Sequence, residues 1–187
     1  MLTAAATAML AGVALTGCTI NLGTTSGDHD MGMMGETKGD YTADDIMFMQ
    51  MMIPHHQQAV DMGTLAETRA SNPEVKKLAA QIKAEQAPEI AEMKQWLKDA
   101  GATMTMSHSM AMGGMLTDDE MTALENATGA EFDRLYLEGM IGHHEGALEM
   151  VQMVIDSKTT NTHALGHAIK DSQTKQIAYM KELLAKL

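Results

Sequence analysis

The sequence predicts an all-α protein, a four-helix bundle built from two copies of one helical hairpin. Three observations predict it. Met52-Ile53-Pro54-His55-His56 recurs as Met140-Ile141-Gly142-His143-His144, each copy followed by a matched alanine (Ala59, Ala147) and a matched methionine (Met62, Met150). A second set of repeated positions, Ile82, Gln86, Ile90, Met93 and Leu97, reappears as Ile169, Gln173, Ile177, Met180 and Leu184, so the repeat unit is a whole hairpin. Helix-start signals also precede the periodic segments.

The chain opens with a targeting segment. Residues 1–17 are small and apolar, without charge, and lead into Leu15-Thr16-Gly17-Cys18. That ending resembles a bacterial lipobox, whose cysteine is lipidated after cleavage, and it makes Cys18 the expected membrane anchor. The plainer reading is an ordinary signal peptide with a chance cysteine. Either way the expected location is extracytoplasmic, at the periplasm or cell surface. Cys18 is the only cysteine, so no thiol is left for chemistry. Residues 18–41 form a Gly-, Thr-, Ser- and Asp-rich linker carrying His29-Asp30-Met31-Gly32-Met33-Met34, expected to be disordered.

Residues 42–187 carry the bundle. The first helix is expected from Thr42, its N-cap, to about Ser71, with Asp44 and Asp45 in the first turn and a kink at Pro54. Asn72-Pro73-Glu74 starts the second, which runs to Gly101 with a bend at Pro88. Thr117 and Glu120 make a capping box for a short helix over 118–126, and Thr128 with Glu131 a second box for the third long helix, to about Ser157. The last long helix is expected from Thr162 to Lys186. Short turns make consecutive helices antiparallel neighbours in an up-down bundle.

Helical geometry turns the repeat into a candidate site. Met52 lies on the helix surface between His55 and His56, and Met62 falls two turns beyond His55. Met140, His143, His144 and Met150 repeat the pattern, and the two stripes are expected to face each other or a shared cleft. Residues 102–116 are a Met-rich connection in which Met104, Met106, Met110, Met112 and Met115 surround His108. No single period packs all five as core, so a second, exchangeable metal-capturing region is expected there; partial packing on the bundle is the alternative. His163 and His167, four apart, can share a metal. Two surface histidines are the preferred reading of that pair.

The chemistry follows from the donor atoms. Thioether and imidazole together select soft ions such as Cu(I) and Ag(I). A thioether needs no deprotonation to bind. A net charge of −12 excludes nucleic acid as the expected partner and suits cations. No histidine has a glutamate three residues before it, as a di-iron carboxylate bundle would want, and no His-Glu-x-x-His is present.

The repeated His-His motif, with Gln57-Gln58-Ala59-Val60-Asp61-Met62 and Phe132-Asp133, resembles the family catalogued as domain of unknown function 305 across residues 42–187. The resemblance implies a ferritin-like four-helix bundle, secreted or lipid-anchored. It also implies kinship with periplasmic copper-binding proteins that take silver, with Met52, His55, His56, Met140, His143 and His144 in the ligand region. We therefore expect a non-enzymatic copper protein of the cell envelope that captures, stores or hands over Cu(I). The partners to test are a copper-accepting envelope protein and a second copy of the chain. The competing readings are a ferritin-like metal oxidase and a metal-independent envelope interaction module.

Overall fold

The computed structural model describes residues 41–106 and 112–187. Residues 1–40, with the signal segment, Cys18 and most of the linker, lie outside the described residues, as do His108 and Met110. The described residues form five α-helices: α1 (Ala43–Arg69), α2 (Pro73–Asp99), the short α3 (Asp118–Asn126), α4 (Gly129–Met150) and α5 (Thr160–Leu184). Among the described residues no helix is long and apolar enough to cross a membrane.

The helix starts follow local capping chemistry. Thr42 and Asp45 form a reciprocal capping box at α1, as Thr117 and Glu120 do at α3, and Asn72 caps α2 by accepting from the Glu74 N–H. The expected box at α4 is absent. Thr128 makes no side-chain cap bond, because the chain enters α4 through Gly129 at φ +66° and Glu131 is engaged by Arg134 instead. α4 also ends earlier than expected, passing into a 3-10 turn over Val151–Met153, and α5 starts two residues earlier than expected. α1 runs unbroken through Pro54. On α5 the deeper residue of the last turn is Leu183, with Leu184 only half-buried.

The helix order is not a simple up-down alternation. Ala70, at the end of α1, bridges Gly129 at the start of α4, so both α2 and α4 begin at that end. Asp45, near the start of α1, accepts hydrogen bonds from Ser157, Thr159 and Thr162, placing the start of α5 at the opposite end. α2 and α4 therefore run parallel, joined by a crossover over residues 100–128. One long crossover is the ferritin-like variant of the four-helix bundle.

The pseudo-twofold relation is visible in two buried aspartates. Asp45 on α1 holds the α4–α5 turn, while its repeat counterpart Asp133 on α4 accepts from the Ser71 and Asn72 backbone N–H groups in the α1–α2 turn. Each hairpin thus fastens the turn of the other. The apolar core falls into two clusters. One contains Met52, Ile90, Met93, Leu97, Met150 and Ile169; the other contains Met62, Ile82, Phe132, Tyr136, Met140 and Met180.

Candidate metal centre

The four histidines of the repeat are all fully buried on α1 and α4. The two stripes face each other, with the His55 and His143 rings 3.7 Å apart between centroids. Within each pair the rings stand 6.5 Å (His55–His56) and 6.2 Å (His143–His144) apart. The methionines distribute between the two apolar clusters. Met52 and Met150 are in one, Met62 and Met140 in the other, so each cluster receives a thioether from both copies of the motif.

One nitrogen of every ring is satisfied, and it is always Nε2. His55 donates to the Gly113 carbonyl at 3.2 Å and His143 to the His55 carbonyl at 2.9 Å. His56 donates to Glu89 Oε2 at 2.8 Å, and His144 to Gln176 Oε1 at 2.7 Å. Gln176 in turn donates its amide N–H to Glu85 Oε2 at 2.7 Å, which fixes its oxygen toward His144. Carbonyl and carboxylate oxygens only accept, so Nε2 carries the proton in each ring. All four Nδ1 atoms are buried with no hydrogen-bond partner among the described residues. Each is then a bare lone pair, the state in which imidazole ligates a metal, with the second nitrogen oriented by an outer acceptor.

Burial favours the neutral form of His55, His143 and His144. Desolvation, with the His56 and His144 charges adding to it, lowers the His55 pKa from 6.5 to about 3. Burial lowers His144 to about 4 and His143 well below the usual histidine range. Protons therefore do not compete for the lone pairs of these three rings near neutral pH.

The crossover lies directly on this layer. Gly113 supplies the carbonyl that holds His55, and Gln58 clamps Leu116 through both its backbone N–H (2.8 Å) and C=O (2.9 Å). On the α4 side the approach depends on glycine. A Cβ at Gly146 would sit 1.9 Å from the Gly113 oxygen, and one at Gly114, itself at φ +79°, 2.2 Å from the Gly142 oxygen. Gly142 and Gly146 occupy the places that Pro54 and Gln58 hold in the first copy.

The Met-rich connection is split between packing and exposure. Met106 and Met112 pack half-buried on the cluster of Met52 and Met150, Met115 is half-buried, and Met104 is 43% exposed. His163 and His167 are exposed on α5, outside the layer, with ring centroids 4.6 Å apart and His167 donating to the Ile155 carbonyl at 3.2 Å. Sequence reasoning missed Gln58, Glu85, Glu89, Gly113 and Gln176, and gave no site role to Gln86 and Gln173. Both are buried with amide oxygens lacking a partner among the described residues. Their signal was a polar residue recurring at the same point of two otherwise apolar stripes.

Among the described residues no three His, Cys, Asp or Glu side chains form a group that could hold a metal ion by themselves. Imidazole and thioether are the donor types gathered here, and they suit a soft monovalent ion rather than a hard one.

Fold and layer together define an all-helical protein with a buried bis-histidine layer between two methionine-bearing clusters. The chain belongs to the family described as domain of unknown function DUF305, whose model matches residues 45–184. Its structure is similar to that of a DUF305 protein from Streptomyces coelicolor, described as a candidate secreted protein, at 32% identity and a TM-score of 0.74, covering 78% of this chain and 95% of that one. It is also similar to CopM in the Cu(I)-bound form, at 33% identity and a TM-score of 0.65, covering 78% and 97%. CopM in a silver-bound form matches at 31% identity and a TM-score of 0.64, covering 79% and 98%. A search of curated proteins returns no match.

Proposed function

We propose that this protein binds Cu(I) in the histidine layer, with Ag(I) as a chemical mimic, and serves to capture, store or hand over copper outside the cytoplasm. The observation that carries this reading is the set of four buried imidazoles, each with Nε2 satisfied and Nδ1 bare, flanked by buried thioethers contributed by both copies. Unpaired buried acceptors cost of order 1–3 kcal/mol each, so four at matched positions need a purpose. Similarity to a copper- and silver-bound protein supports the same chemistry. The Met-rich connection would supply weaker, exchangeable sites, and Cys18 the membrane anchor.

The ligands in this reading are His55, His56, His143 and His144, with Met52, Met62, Met140 and Met150. Cu(I) is cargo and the protein performs no turnover. Competitive Cu(I) titration of the full chain tests it against the quadruple variant His55→Ala/His56→Ala/His143→Ala/His144→Ala, with helical content checked by circular dichroism. Tight binding lost in a folded quadruple variant is the expected result. Equal binding in both would move the chemistry to the crossover methionines. Oxygen consumption over many turnovers would make the protein a metal oxidase instead.

A further inference from the structure

The two halves of the histidine layer differ in charge at one matched contact. His56 and His144 are repeat equivalents, and each donates Nε2–H to the residue at the same point of its partner helix, Glu89 on α2 and Gln176 on α5. The contacts have nearly the same length, 2.8 and 2.7 Å. One acceptor is a carboxylate, the other a neutral amide. Glu85 is linked to the His144 ring through the Gln176 amide.

A soft monovalent ion held by neutral imidazoles and thioethers carries its whole charge into the core. Burying an uncompensated charge is costly, and an anion in contact with a ligand offsets it. A carboxylate accepting from the far nitrogen of an imidazole also makes the near nitrogen a stronger donor. Glu89 does both at His56. Its side chain is 19% exposed, so it remains partly solvated while facing a fully buried ring. Gln176 orients His144 equally well and compensates nothing.

We propose that the layer is an unequal pair of half-sites, in which Glu89 is the positioning residue that supplies the counter-charge and makes the His55–His56 half the tighter one. The His143–His144 half is the weaker partner and the side from which the ion is more readily passed on. This inference rests on the copper-binding reading above and adds to it which half holds the ion.

The test is Cu(I) affinity, measured by chelator competition on the full chain for Glu89→Gln, for Gln176→Glu made together with Glu85→Gln so that the new carboxylate does not face the one Gln176 now donates to, and for the combination of the two. Glu89→Gln keeps a hydrogen-bond acceptor of the same shape at His56, so a purely structural role would leave affinity unchanged. The expected result is at least a tenfold weakening in Glu89→Gln, tighter binding in Gln176→Glu/Glu85→Gln, and recovery of affinity in the combination, where the charge has moved to the other half. Unchanged affinity in Glu89→Gln, beside lost affinity in the quadruple histidine variant, overturns the charge assignment and leaves the site intact. Unchanged affinity in both overturns the copper-binding reading itself. Should Glu89→Gln fail to fold, Gln176→Glu/Glu85→Gln alone decides: no gain in affinity overturns the proposal.

Discussion

At the scale of single residues, stability and binding turn on buried polar groups whose partners are specified. Asp45 is the clearest structural case. Burial alone would raise its pKa, but hydrogen bonds from Thr162, Ser157 and Thr42 more than offset this and bring it to about 2. A carboxylate with a depressed folded pKa stabilises fully above its unfolded value of 3.8, and that contribution is lost as pH falls through about 2. Asp45→Ala should therefore cost about 2–4 kcal/mol at pH 7, because it removes the shared acceptor of the Thr42, Ser157, Thr159 and Thr162 hydroxyls. Urea denaturation would show it as a lower midpoint; a shift under about 0.5 kcal/mol, the range of an ordinary surface change, would contradict it. The histidines act in a higher pH window. His55 at about 3 and His144 at about 4 are bases depressed below 6.5, so between those values the unfolded chain binds more protons than the folded one. Stability should then fall as pH drops below 6.5, by about 1–2 kcal/mol at pH 5 for each of His55 and His144. Thermal melts of the metal-free protein at pH 7.5 and pH 5 would reveal it. Equal melting temperatures would mean that the rings are solvated. The histidine pairs were legible in the sequence because they recur; their partners were not, because Glu89 and Gln176 reach them from other helices.

At the scale of elements, helix starts were readable wherever capping is local, as at Thr42, Asn72 and Thr117. The failure at Thr128 is instructive. A Thr-x-x-Glu pattern satisfies the capping-box template, but Gly129 in the left-handed region and the Glu131–Arg134 pair win. The crossover was least legible. Its methionines suggested exchangeable sites, whereas its described backbone at Gly113, Gly114 and Leu116 is a strap laid over the histidine layer. Nothing in the spacing of residues 102–116 shows that Gly142 and Gly146, on another element, open a seat for it. Gly146→Ala should push the strap off that seat, since backbone oxygen cannot yield as a flexible side chain would. We expect a loss of about 1–3 kcal/mol and faster hydrogen exchange at Leu116, whose N–H is held by Gln58. Unchanged exchange at that amide would contradict the strap. Thr117→Ala, which removes only the cap of α3, should cost about 1 kcal/mol in the same denaturation assay and leave metal affinity unchanged.

At the scale of the whole molecule, two hairpins related by a pseudo-twofold axis bring two helix-borne histidine pairs face to face in the core. The hairpin repeat was visible in the sequence as paired residues, with the second helix of each hairpin shifted by one residue relative to the first. The relative direction of the hairpins was not, because it depends on where a long crossover returns the chain. The lock between halves, Asp45 on one turn and Asp133 on the other, likewise appears only once the turns are in contact. A symmetric frame explains why both copies keep the same ligand pattern. The departures from symmetry, Glu89 against Gln176 and Gln58 against Gly146, are where function has room to differ between the halves.

The most direct measurement of the central claim is the histidine side-chain nitrogen spectrum of the 15N-labelled protein, recorded before and after one equivalent of Ag(I). The account predicts that Nδ1 resonances of the buried rings shift while every Nε2 keeps its proton and its hydrogen bond. Binding through Nε2, or shifts confined to the exposed His163 and His167, would contradict it.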